Sequence, residues 1–188
     1  MEKTLTQVTR AGMISNAPIL VDQLEKVSKI IQEVHRRTEL NIQKGYGPFY
    51  AMILDNEGNY IAGCSNTVVK TQCSLNHAEI NTIRAAQEKL KTYDLSSYDL
   101  SIYISAEPCI MCAGAIMWSG IKNVYYSVPS EDVERITGFN EGYKPDWLKE
   151  FKSMGVNVYG NIESVMGRRV LQNYVNSDCV IYKPKIQV

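Results

Sequence analysis

The sequence predicts an α/β sandwich with partly parallel strands. Three observations predict it. Two short strand patterns flank a hairpin-like turn near residue 56, helical and strand patterns alternate after them, and the 188 residues suffice for one domain with a sizeable core, or one domain with short extensions.

The elements follow in order. Over residues 21–44, Leu24, Val27, Ile31 and Val34 recur at helical spacing, and Gly45, Gly47 and Pro48 then break the helix. Residues 49–54 and 60–64 read as strands joined by the turn Asn56-Glu57-Gly58-Asn59. A polar loop covers 65–75. His77 opens a second helix whose buried face would carry Ile80, Ile83, Ala86 and Leu90. Residues 101–105 read as a strand. Pro108 starts a third helix, where its missing N–H costs nothing, and Gly120 ends it. A strand at 124–128, a short helix at 147–154 closed by Gly155, a strand at 156–159 and an amphipathic helix at 164–174 complete the pattern. No repeat, low-complexity segment or long linker interrupts it.

Composition narrows the classes. Apolar residues make up 45% and charged residues 21%, as in ordinary globular domains. Lys+Arg and Asp+Glu both number 20, so the net charge is zero and a broad electrostatic grip on nucleic acid is disfavoured. Residues 1–20 lack a basic segment followed by an apolar stretch, and no run reaches the roughly 18 apolar residues of a membrane helix. No membrane partner and a cytoplasmic location are therefore expected. Five cysteines, Cys64, Cys73, Cys109, Cys112 and Cys179, are an odd number that argues against a disulfide scaffold.

The chemistry concentrates in Asn76-His77-Ala78-Glu79 and Glu107-Pro108-Cys109-Ile110-Met111-Cys112. His77, Cys109 and Cys112 are soft or borderline ligands that suit one zinc ion per chain, and three protein ligands leave a fourth position open, as in catalytic zinc sites. Cys109 and Cys112 lie one helical turn apart, in a first turn whose dipole favours thiolate. Glu79, two residues past His77, would reach the activated water without ligating the ion and would act as the proton shuttle. His-x-Glu followed by Pro-Cys-x-x-Cys is a signature of zinc-dependent nucleobase deaminases. Other readings stand beside it. The cysteines could form a redox pair or part of a structural zinc site, for which Cys73 is the nearest fourth ligand, and Glu79 could be a plain helix-terminal charge. His35 reads as a packed or surface histidine of the first helix, and Cys64 and Cys179 as inert thiols.

On these residues the chain resembles the cytidine-deaminase-like superfamily over roughly 21–128, more loosely to 182. Within it, the chain is most similar to bacterial guanine deaminases, with tRNA adenosine deaminases next. The resemblance implies a three-layer α/β/α sandwich, a mixed five-stranded sheet with helices on both faces, spanning a domain of residues 21–188 after an N-terminal extension of 1–20. It also implies a homodimer or larger oligomer. Gly47-Pro48-Phe49, Asn66 eleven residues before His77, Trp118, and Gly138-Phe139-Asn140-Glu141 resemble guanine-deaminase segments. They imply a base held by Asn66, Phe49, Ala78, Trp118 and Glu141. Tyr50, Asn140 and Glu141 depart from the family pattern, and residues 142–160 fit it poorly, with a rhythm similar to fungal cytosine deaminases. The expected function is hydrolytic deamination of a purine base, foremost guanine to xanthine and ammonia. The alternatives are tRNA adenosine, guanosine or cytosine deamination, or a catalytically silent zinc-binding module.

Overall fold

The computed structural model describes residues 12–182. Of the expected extension, residues 1–11 lie outside the described residues, as do 183–188 at the end of the expected domain.

Helix α1 (Val21–Ile42) buries Leu24, Val27, Ile31 and Val34, the stripe that its spacing predicts. Strands β2 (Tyr50–Leu54) and β3 (Tyr60–Ser65) form the antiparallel hairpin. The loop expected at 65–75 contains one short helix, α2 (Val68–Thr71), before α3 (Ala78–Leu90). Then come β4 (Ser101–Ala106), α4 (Ile110–Ser119), β5 (Asn123–Val128), α5 (Ser130–Thr137), α6 (Trp147–Ser153), β6 (Asn157–Gly160) and α7 (Ser164–Val175). Helix α5 was not anticipated. Its eight residues are too few for a clear period, although Glu131 and Asp132 in the first turn and Gly138 at the C-terminus are ordinary start and stop signals.

With β1 (Ile14–Ser15) at one edge, the sheet order is β1-β6-β5-β4-β2-β3, with β4, β5 and β6 parallel and the β2–β4 pair antiparallel. It has six strands rather than five. The extra strand, β1, belongs to the segment expected to lie outside the domain and pairs antiparallel with β6. Two residues carry no readable alternation. What holds them is Asn16, whose side chain donates to the carbonyls of Leu148 and Val156 and accepts the Val158 N–H. The added pairing covers what would otherwise be an open sheet edge.

Alternation along the strands sorts the core into two layers. Ala51, Ile53, Ile102, Ile104 and Val124 pack under α3, α4 and α6. Tyr50, Met52, Leu54, Tyr103, Tyr125 and Tyr159 pack under α1. The last three tyrosines sit in register on β4, β5 and β6 and stack with ring centroids 4.9 and 4.8 Å apart. Helix α7 comes very close to α1 at Gly167, where a Cβ would lie 2.4 Å from Val128 and 2.7 Å from the His35 ring.

His35 is thus a packed histidine, 1% exposed, with its Nε2 2.8 Å from Ser127 Oγ. Burial, partly offset by the charge of Glu163, lowers its pKa from 6.5 to about 4. Between those two values the unfolded chain binds a proton that the folded chain does not, so acidification from pH 7 towards pH 4 removes stability, on the order of 3 kcal/mol at most. Urea unfolding at pH 7.5 and 5.0 should show a smaller pH-dependent loss in His35→Gln than in the parent protein. An equal loss in both would assign the acid sensitivity elsewhere.

Candidate active site

The C-terminal ends of the strands and the N-termini of two helices build the site. Strand β4 runs into Glu107-Pro108-Cys109, and Cys109 is the residue before the first turn of α4, which begins at Ile110, two positions later than Pro108 alone suggests. His77 occupies the equivalent position before α3. Both adopt extended backbone there, and their carbonyls accept the first helical N–H groups, from Ala113 at 2.8 Å and Asn81 at 3.0 Å.

This places three ligand atoms together. His77 Nδ1 lies 3.6 Å from Cys109 Sγ and 3.6 Å from Cys112 Sγ, and all three atoms fall within 4.8 Å of one another. Tetrahedral zinc, with bonds of about 2.0–2.1 Å to nitrogen and about 2.3 Å to sulfur, requires a nitrogen–sulfur edge of roughly 3.6 Å. The donor set and its spacing fit zinc.

Electrostatics agrees. Cys109 is drawn down to about 4, chiefly by the hydrogen bond from Cys112, against burial, and further by His77 and the Cys112 backbone N–H. Cys112, fully buried, is pushed well above its ordinary value by the Cys109 thiolate and by burial. Burial opposes charge on His77, yet Cys109 and Glu79 raise its pKa overall. Two sulfurs and an imidazole so coupled are relieved by a cation.

Glu79, in the first turn of α3, is 6% exposed and still faces the pocket. Burial, then the Cys109 charge, raises it to about 7. That value suits a group that both accepts and returns protons near neutrality. Burial and the charges of Cys109 and Glu79 raise Glu141, which lines the same pocket, to about 8. Its backbone N–H donates to Glu134, which in turn pairs with Lys144 at 2.7 Å.

The other expected residues divide. Phe49 and Asn66 line the pocket, and Ala78 is fully buried between His77 and Glu79. Trp118 is a correction: α4 turns it away from the pocket and leaves it 91% exposed, so within this chain it walls nothing. Its place is taken by Phe139, 5.8 Å from Phe49 between ring centroids, and by Tyr182, 5.1 Å from Phe139. Tyr182 also accepts the Asn66 side-chain N–H at 2.6 Å. No local pattern marks Tyr182; Phe139 could have been suspected from its place two residues before Glu141. Glu107, which also lines the pocket, accepts the Ser130 N–H and so ties the β4–α4 loop to α5.

Comparison with known proteins defines the class. The cytidine and deoxycytidylate deaminase zinc-binding region matches residues 21–128, and the chain belongs to that family. The ligand set and buried carboxylate described above are those of a zinc-dependent hydrolytic deaminase. Among particular relatives, guanine deaminase of Bacillus subtilis is 38% identical over 97 residues, 52% of this chain and 60% of that protein's length. The tRNA-specific adenosine deaminase of Rickettsia bellii is 36% identical over 97 residues, 51% of this chain and 66% of its own. A guanine deaminase structure from Nitrosomonas europaea is 34% identical with a TM-score of 0.77, covering 80% of this chain and 85% of that one.

Metal analysis tests the ligand set. Purified protein should hold about one zinc per chain, and Cys109→Ala should lose most of it. Full retention in Cys109→Ala would remove Cys109 from the site.

Proposed function

We propose that this protein deaminates a free purine base hydrolytically, converting guanine and water to xanthine and ammonia. The observation that carries this reading is that Asn66 and Glu141 line one pocket with Glu79 and His77. Asn66 is fully buried; its Oδ1 accepts the Val68 N–H at 3.2 Å and its Nδ2 donates to the Tyr182 hydroxyl at 2.6 Å, a group that also lines the pocket. An amide and a carboxyl group in one cavity complement a purine, which offers ring acceptors and ring N–H groups. Phe49 and Phe139 supply the flat apolar walls between them.

The roles follow. Zinc supplies Lewis-acid activation of water at neutral pH. Glu79 takes the proton that water gives up on adding to the amino-bearing carbon, and delivers protons to the ring nitrogen and the departing ammonia. Asn66 and Glu141 hold the base in register with Glu79. Tyr182 closes the rim and shares the Asn66 donor.

A cytoplasmic location is supported by five free thiols. Among the described residues, no helix is long and apolar enough to cross a membrane. A homodimer is supported by α4. This helix is apolar almost throughout, and Ile110 and Trp118, two turns apart on one face, stand 46% and 91% exposed with open space at Gly114 between them.

Ammonia release from zinc-replete protein should be greatest with guanine in a panel of guanine, guanosine, adenine, cytosine and tRNA, with weak salt dependence. Turnover confined to tRNA, with a steep fall between low and physiological salt, would replace this reading with RNA editing. Asn66→Ala should raise KM for guanine by about tenfold or more while zinc stays bound. Sedimentation should give a dimer, and Trp118→Lys should weaken it. A monomeric parent protein would contradict the α4 interface.

A further inference from the structure

Asn81 lies in the second turn of α3 and does not line the pocket, yet its side chain touches the backbone on both sides of the site. It is 6% exposed. Its Nδ2, which carries two hydrogens, lies 3.0 Å from the Ser65 carbonyl, 3.1 Å from Thr67 Oγ1 and 3.2 Å from the Asn76 carbonyl, so one hydrogen is shared between two of these acceptors. Ser65 and Thr67 flank Asn66, and Asn76 precedes His77. One amide nitrogen therefore grips the two ends of the loop between the base-reading asparagine and the metal-ligating histidine. A backbone bond from Thr67 N–H to the Asn76 carbonyl, 2.9 Å, runs beside it.

The orientation of this amide is forced. Two of its three partners are carbonyl oxygens, which only accept, so the nitrogen must face them. The price is at the other end: Asn81 Oδ1 is buried without a hydrogen-bond partner among the described residues. A buried unsatisfied acceptor is unfavourable, and it is tolerated here alongside three donor contacts. Asn66 is packed just as tightly on its far side, where a Cβ at Gly47 would come within 2.9 Å of Asn66 Oδ1. Gly47 and the Val68 N–H set its rotation, its backbone N–H donates to the Phe49 carbonyl at 3.0 Å and its Nδ2 to Tyr182, and Asn81 adds the link from this segment to the Asn76–His77 end of the loop.

We infer that Asn81 is a positioning residue for substrate recognition: its amide clamps Ser65, Thr67 and Asn76 and thereby sets the distance between the Asn66 donor and His77. This rests on the deaminase reading above and extends it to a residue outside the pocket. The base is read at one end of this loop and reacts at the other, so loosening the clamp spoils binding geometry without touching a ligand atom.

The test uses zinc-loaded Glu79→Gln protein, so that guanine binding can be measured calorimetrically without turnover. Adding Asn81→Ala should weaken guanine binding about tenfold at unchanged zinc content. Adding Asn66→Ala alone should weaken it similarly, and Asn81→Ala on top of Asn66→Ala should change it less than twofold, because the clamp acts through Asn66. Asn81→Asp, which sets a carboxylate against carbonyl oxygens, should be worse than Asn81→Ala. Amide exchange at Thr67 should quicken in Asn81→Ala while exchange in the β4 core does not. Should Asn81→Ala melt early, Asn81→Ser, with one donor retained, should show the intermediate effect. Guanine affinity within twofold of the parent, or losses that multiply in the combined variant, would overturn the inference. If Glu79→Gln protein binds no guanine at all, the substrate reading fails instead, and the Thr67 exchange rate decides the clamp by itself.

Discussion

Three ligand atoms must meet within the edge length of one tetrahedron, although they come from segments 32 and 35 residues apart. That requirement orders the rest of the molecule. The chain places His77 and Cys109 immediately before two helices, α3 and α4, whose buried residues pack on one face of the sheet. Ala78, Ala86, Ala113 and Ile116 are all fully buried there. Small residues at the contacts let the two helices approach the sheet closely, and so fix where the helices begin.

The same burial tunes the chemistry. A carboxylate exposed on a first helical turn would be fully ionised at neutral pH. Glu79, desolvated and beside the Cys109 thiolate, is raised to about 7. Sequence spacing puts it two residues from His77, local helix geometry turns it into the pocket, packing desolvates it, and desolvation gives it the proton affinity of a shuttle. Burial raises Glu141 in the same way.

The legibility of the site varied with the range of the interactions that make it. His77, Glu79, Cys109 and Cys112 were readable because zinc chemistry demands particular residue types at short spacings. Helices α1, α3 and α7 were readable because one buried stripe repeats along each. Asn66 and Phe49 were readable only through resemblance. Tyr182 was not readable: it reaches Asn66 across 116 positions, and nothing local marks an aromatic residue near the end of a chain. Strand β1 escaped for a similar reason, since its pairing depends on Asn16 finding carbonyls more than 130 positions away. Trp118 stands exposed on α4 within one chain, because resemblance carries a residue type to a position and not the helix face on which it stands.

The proposed division of labour at the centre is that His77, Cys109 and Cys112 hold the metal while Glu79 moves the proton. Glu79→Gln separates the two most directly, because it keeps the size and much of the hydrogen bonding of the side chain but cannot accept a proton. Zinc content should stay near one per chain, and ammonia release should fall by roughly 10²–10⁴-fold, the usual cost of losing a general acid–base group. Near-normal turnover in zinc-replete Glu79→Gln protein, or loss of the zinc with the carboxylate, would contradict this division.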